Sequence, residues 1–550
     1  MAHILIGPLL RHVSGTSATI WVEVDEPCGV TVLGHSTQTF TVFDHHYALV
    51  IVEGLTPGTT VPYTVELDGQ VEWPPSDSTM PPSTIRLLGD HSALRILFGS
   101  CRASAPHEPP YSLEPGSDPR QRGSDALRAH GLRMLEQPVD DWPDLVVFLG
   151  DQVYADDPSP LAQARMRDRR REDSARPVPP AELVADFEEY TWLYRDAWTP
   201  DIERWVLSVV PSTMIFDDHD MVDDWNISIK WVTDIRNEAW WQEHIIGGLV
   251  SYWVYQHLGN LSPDRISEEG LLAQAVAAGD AGDLLRAWAM SSEEFTPVAG
   301  GYVFSFVRHL GDVRLVVVDS RNGRTLAPGE RSMIDSDESA WIAQQCEGEI
   351  EHLVIATSLP VFVPGGLHGL QQWNEALCDG VWGRNASRAS ERVRRALDLE
   401  DWAAFDRSFR WFVALLTEVS ERHNPPSTIT ILSGDIHFSY VARVVLPSDS
   451  TTCQIHQVVS SPIRNSLKSR ERRVLMFSIS RAGLVLGRWL QRSARRPISS
   501  TSWELIDGPL FRNGMGMLEC AGRTLTIRLE RASSDCEGRV QLETVAERTV

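Results

Sequence analysis

Four apolar runs in the chain end in side chains able to bind a metal ion or move a proton. "FGSCR" delivers Cys101. "FLGDQVY" delivers Asp151 and, three residues on, Tyr154. "FDDHD" delivers Asp217, Asp218, His219 and Asp220, and "GDIHF" delivers Asp435 and His437. Each alone has an ordinary structural role: a Cys after a strand is an inert buried thiol, and an Asp after Gly caps a turn or helix. A strand-end Tyr is half-buried, and a lone His is a satisfied core residue. Together they are harder to dismiss. So many carboxylates at one sheet edge repel one another, and either the acids are partly protonated or multivalent cations sit among them. Cations are the simpler account.

The elements that must position these groups follow from the apolar pattern. From Leu94 onward, short runs such as "LRILFGS", "LVVFLG", "VRLVVVDS", "HLVIATS" and "TITILSG" alternate with helix-like stretches at 181–199, 236–257 and 401–421. That alternation predicts an α/β domain over 93–550 with its functional groups at the carboxyl ends of the strands. Residues 1–92 read as all-β instead. "SATIWVEVDE" alternates with Ala18, Ile20, Val22 and Val24 on one face. The phrase "GLTPGTTVPYTVEL" resembles a corner of fibronectin type III domains, which implies that Leu55 plugs the core, Pro57-Gly58 turn the chain and Tyr63 bonds back across the corner.

Bulk properties narrow the function. A chain of 550 residues exceeds one hydrophobic core. Its 75 Asp and Glu against 50 Lys and Arg leave a formal charge of −25, which argues against gripping a nucleic acid duplex. Seven scattered Cys are no disulfide framework. The opening "MAHILIGPLLRHVSG" has no export signal, and no apolar run spans a bilayer, so the expected location is the cytoplasm.

Two segments are basic against this background. "ARMRDRRRE" (164–172) reads as a Pro-bounded loop. Residues 464–496 carry ten Lys or Arg and one acid, Glu471, around a stripe of Leu475, Ile479, Ala482, Leu486 and Trp489, which predicts one amphipathic helical insertion. Its plain reading is a solvated helix packed on the core. The sharper readings are a lid for anionic substrate or a peripheral contact with an anionic membrane.

In order and spacing, "SCR", "GDQVYADD", "FEEYTWLYRDAW", "FDDHDMVDDW", "VVVDSRNGR", "GDIHF" and "SSPIRN" resemble the PhoD-like alkaline phosphatases of the calcineurin-like metallophosphoesterase superfamily. The resemblance implies a metallophosphatase-type two-layer β-sandwich flanked by helices, preceded by a small fibronectin III-like β domain. It implies hydrolysis of small phosphate esters by a metal-activated hydroxide, with iron (Fe3+) and calcium as cofactors. Carried over residue by residue, Asp151 bridges two metals, and Cys101, Tyr154 and His437 bind iron. Asp218 and Asp435 hold the second metal; Asp223 departs from the family pattern, standing where relatives often have Asn, and its extra charge makes it a candidate further ligand. His219 contacts phosphate and protonates the leaving group, and Arg321 and Arg102 are candidate phosphate clamps or structural ion pairs. The donors agree with this: thiolate and phenolate suit a highly charged iron, whereas carboxylates suit a hard cation such as calcium. The region "VIATSLPVFVP" offers only Thr357 and Ser358 where many superfamily members place another histidine. Two rival readings are a non-catalytic binding module on a degenerate fold and a phospholipase D-like hydrolase working at anionic membranes.

Overall fold

The computed structural model describes residues 1–89, 93–114, 116–172, 177–295, 302–327, 329–447, 452–465, 469–496, 499–534 and 539–550. The expected boundary at 92 lies outside the described residues, as do Lys468 and the side chain of Glu471.

The N-terminal part is built from antiparallel strands. One sheet orders Ile4–Val13, Ala18–Val24, His45–Val52 and Phe40–Val42; a second orders His35–Gln38, Gly29–Val32, Val65–Leu67 and Gln70–Trp73. Ala18, Ile20, Val22 and Val24 face the core between them, as the alternation predicts. The opposite face is not solvated, however, and all seven residues from Ala18 to Val24 are buried. Trp21, Phe40 and Tyr47 join the apolar core of the following domain, and Arg11 Nη2 donates to the Gln256 carbonyl at 2.6 Å. Tyr63 corrects the corner expectation. Its hydroxyl donates at 2.7 Å to the Ser208 carbonyl in the next domain rather than back across its own corner. A buried phenol takes whatever acceptor the apposed surface presents.

The remainder holds two mixed sheets. The six-stranded sheet runs Ser212–Met214, Leu145–Phe148, Leu94–Gly99, Gly514–Ala521, Thr524–Ser534 and Val540–Thr549. The seven-stranded sheet runs Phe306–Leu310, Val313–Val318, His352–Thr357, Thr428–Ser433, Gln454–Val459, Ser439–Val445 and Ser502–Leu510. Leu97, Val147 and Leu518 of the first share one apolar core with Leu315, Ile355 and Ile431 of the second. Parallel pairing sets the site. Gly99 sits opposite Phe148, and Phe148 opposite Met214, so three strands of one sheet end together. Thr428–Ser433 lies parallel between His352–Thr357 and Gln454–Val459 in the other sheet. The two edges meet where Ser100 donates its N–H to the Ser460 carbonyl and its hydroxyl accepts from Asp435 N–H at 2.9 Å.

Both basic segments differ from their expected form. Residues 160–172 form a helix, Pro160–Glu172, because Arg169 and Arg170 are held by Asp186 and Glu189 at 2.6–3.4 Å. The segment 464–496 is two helices, Ser469–Ile479 and Arg481–Ser493, since Ser480 turns extended and caps the second by accepting from Gly483 N–H. Among the described residues, no helix is long and apolar enough to cross a membrane.

Candidate metal centre

Where the strands stop, the backbone is forced into unusual conformations. Cys101, Asp151, Asp435 and His437 all have positive φ, between 52° and 64°. Non-glycine residues avoid this left-handed region at a cost on the order of 1–3 kcal/mol each, and such strain gathers at functional sites. Gly150 permits a close approach. A Cβ there would lie 2.5 Å from Asp217 Oδ2, so a side chain at 150 would push two strand ends apart.

The carboxylates converge. Asp151, Asp217, Asp218 and Asp435 each offer a ligand atom, all within 4.8 Å of one another, and Asp151, Asp218 and His219 form a second such group. Cys101 Sγ lies 3.4 Å from Asp151 Oδ2 and accepts from the Ser461 hydroxyl at 3.2 Å. Tyr154 packs against Cys101. Its hydroxyl is 3.5 Å from His437 Nε2 and accepts from Asn465 Nδ2 at 3.1 Å. Its ring lies 4.4 Å, centroid to centroid, from His219. Seven of the ten residues expected at the site are thus gathered at one place: Cys101, Asp151, Tyr154, Asp218, His219, Asp435 and His437.

The other three stand differently. Asp223 is at the rim with a largely exposed side chain, 3.9 Å from His219 Nε2. Arg321, a candidate clamp, is wholly buried and committed to carboxylates: Asp217 at 2.5 Å, Glu400 at 2.6 Å, Asp218 at 3.1 Å and Asp435 at 3.4 Å. Arg102, the other candidate, is held by Asp125 at 2.9 Å and Glu203 at 3.3 Å and donates to the Ala197 carbonyl. Neither guanidinium is left to grip phosphate. Both are buried ion pairs, because a desolvated guanidinium requires carboxylate partners at hand.

Electrostatics mark the pocket as over-acidic. Burial, followed by repulsion from Asp217, drives the Asp151 carboxyl well above its usual range, and burial with Asp217 and Asp218 does the same to Asp435. Burial also raises Asp217, to about 6, although Arg321 opposes it. Asp218 alone is held low: burial works against its charge, but Arg321 and His219 outweigh it. Burial and the neighbouring Asp151 likewise push the Cys101 thiol up, and burial with Cys101 raises Tyr154. Asp151 Oδ1 and Asp217 Oδ2 are buried with no hydrogen-bond partner. Buried acceptors without donors, beside acids that repel one another, fit bound cations. His219 is the counterpart. Burial disfavours its charge, yet Asp156, Asp218 and Asp151 raise it well above an ordinary imidazole.

Sequence reasoning passed over Asp156 and Asn465, and it named Asp217 as a candidate ligand without giving it a role. Asp156 accepts from His219 Nδ1 at 2.8 Å and from Asp223 N–H at 2.8 Å; it is the first acid after "VYA" in the quoted "GDQVYADD". Asp217 stood within "FDDHD" and Asn465 within "SSPIRN". Glu400 carries no motif; only the fold brings it to Arg321.

The fold is similar to that of a protein of known structure. The chain matches a solved structure titled "Structure of PhoD" with a TM-score of 0.58 and 10% identity, over 100% of this chain and 90% of that one. Residues 126–255 match the PhoD-like phosphatase family model. Residues 1–85 match a model described as a domain of unknown function, DUF7800. Among curated proteins, none matches the sequence.

Proposed function

We propose that this chain is a metal-dependent hydrolase of small phosphate esters, acting at the pocket formed by Asp151, Asp217, Asp218, Asp435 and His219. The observation that carries the reading is the convergence of four carboxylates, three buried and Asp435 half-buried, beside a histidine held by Asp156. The PhoD-like phosphatase match over 126–255 supports the same class. Asp151, like Asp218, belongs to both donor groups and would hold cations in each. Asp218 and Asp435, with Asp217, complete the carboxylate side. Cys101, Tyr154 and His437 supply the softer donors, for which iron is the fitting ion, and calcium suits the carboxylates. When bound, such ions neutralise the pocket and lower the pKa of water.

The chain's own residues account for the remaining steps. His219 Nδ1 donates to Asp156, which fixes the ring and favours the imidazolium. The proton on Nε2 is then placed for the leaving oxygen, as general acid catalysis requires. Tyr154 packs against the same ring at a tilt of 31° and limits its rotation. Arg321 takes up part of the carboxylate charge from beneath and keeps the acids in register without touching substrate. The two-part division at 92, with the β part clamped on through Tyr63 and Arg11, belongs to the same proposal.

The test is an assay of the protein purified with iron and calcium on para-nitrophenyl phosphate and its bis ester. Activity abolished by Asp151→Ala and by His219→Ala is the expected result; activity surviving either change removes this pocket from the reaction. A phenolate on ferric iron absorbs visible light, so colour that fades in Tyr154→Phe supports the iron assignment, and a colourless, iron-free, fully active protein refutes it.

A further inference from the structure

The two helices Ser469–Ile479 and Arg481–Ser493 turn the wrong face outward. The second packs against the helix Gly365–Cys378 through glycines: a Cβ on Gly369 would lie 2.5 Å from the backbone of Gly487, and one on Gly366 3.0 Å from Gly483. Gln491 seals the contact by donating to Gln372 Oε1 at 2.7 Å. Buried positions on this helix are Gly483, Gly487 and Gln491; Leu484 and Leu490 are half-buried, while Val485, Leu486 and Trp489 face solvent. Val485 is 68% exposed, Trp489 59%, Val474 57% and Phe477 51%, with Met476 and Leu486 beside them. Of the stripe expected to pack on the core, Leu475 and Ile479 are half-buried, and Ala482, Leu486 and Trp489 are exposed. Trp382, also half exposed, adjoins the patch through its indole N–H to the Ser493 carbonyl at 3.4 Å.

Cations surround these apolar groups. Arg472, Arg473, Arg481, Arg488, Arg492 and Arg495 are exposed, and no Asp or Glu occurs between 472 and 503, in a chain whose net charge is −25. Exposed aromatics and aliphatics rimmed by arginines are the chemistry of a helix lying in the interface of an anionic bilayer. A second copy of the chain fits poorly, since a two-fold contact would set like-charged arginines against one another.

We infer that this helical pair docks the protein on anionic lipid bilayers. The surface lies near the proposed catalytic pocket in the chain. Leu475 packs in one cluster with Ile436, the residue between Asp435 and His437, and Asn465, four residues before the first helix, bonds Tyr154. Docking therefore brings the pocket to phosphate esters at the membrane surface, although the docking itself does not depend on the hydrolase reading.

The experiment is flotation of the full chain with phosphatidylcholine vesicles and with vesicles containing phosphatidylglycerol, at low and high salt. Capture by the anionic vesicles at low salt, weakened at least tenfold by Arg488→Glu with Arg492→Glu, is the expected result. Val485→Ser with Trp489→Ser, which keeps the charge, also weakens it, and unchanged melting shows that both variants fold. Absence of capture overturns the inference, as does capture indifferent to both variants. So does self-association that Trp489→Ser abolishes without any vesicle binding. Asp151→Ala, which separates the two proposals, floats like the wild type whatever becomes of hydrolysis.

Discussion

Two buried clusters of Asp, Glu and His occupy the same domain and behave in opposite ways. His107, Asp125 and Glu203 bring donor atoms within 4.8 Å of one another, as Asp151, Asp217, Asp218 and Asp435 do. By proximity alone both are candidate cation sites. In the first, however, Arg102 binds both acids and Arg128 binds Glu203. Although burial opposes it, Asp125 is held down at about 2 by Arg102, Arg464 and His107. In the second, Arg321 is shared among four carboxylates, and Asp151 and Asp435 are driven up. Closeness of donors does not mark a metal site; charge left over after the protein's own cations are counted does.

Removing the shared guanidinium breaks the comparison hardest. Arg321→Met is expected to destabilise chelator-treated protein by about 5 kcal/mol, the cost of stranding buried carboxylates. Saturating calcium should recover part of the loss, measured as a shift in Tm. The same loss with and without cations would mean that the pocket takes none. Next is Asp125→Asn, which takes one of two carboxylates from the buried Arg102 and should cost about 3 kcal/mol. That cost should be indifferent to cations and chelator, and any dependence on them would place a metal in the self-neutralised cluster.

A third cluster sharpens the contrast because its neutralisation depends on pH. His45 joins the two parts of the chain between Glu188, at 2.8 Å, and Glu23, at 3.3 Å. Burial opposes its charge, but these carboxylates raise it from 6.5 to about 9. A raised histidine stabilises the fold fully below pH 6.5 and loses that contribution as pH climbs through about 9. Wild type should therefore lose up to about 3 kcal/mol between pH 6.5 and 9.5 that His45→Gln does not lose. Parallel urea titrations of the two proteins would show it, and identical pH dependence would contradict it.

The smallest effect concerns Asp156. Asp156→Asn should lower kcat about 10–100-fold, as loss of an orienting carboxylate does, while leaving the fold intact. Because Asp156 helps raise His219, its loss should also move the alkaline limb of the pH–rate profile to lower pH. An unmoved limb would separate Asp156 from the proton donor.

Much of this site was legible in the chain because strands of a parallel sheet must end together. Once "LRILFGS" and "LVVFLGD" read as neighbouring buried strands, the residues after them share an edge, and Cys101 and Asp151 follow; Asp435 ends "TITILSGD" in the other sheet, and only the meeting of the two sheets brings it to them. The fates of the arginines were not legible. Arg102 and Arg321 both lie at strand ends near acids, and a guanidinium binds carboxylate and phosphate through the same fork. Asp125, Glu203 and Glu400 decide between them, and these sit far from either arginine in sequence.

Residue type and strand periodicity were enough to read an α/β fold behind an all-β region, and the acids, thiol, phenol and histidines that end its strands. Local order along the chain carries that information. Three things waited on the tertiary structure: which charges cancel, which tyrosine bonds across a domain boundary rather than within its own corner, and which face of the basic helices is left bare. Each depends on what a distant segment packs against it, and pairing between segments hundreds of residues apart leaves no local periodicity to read.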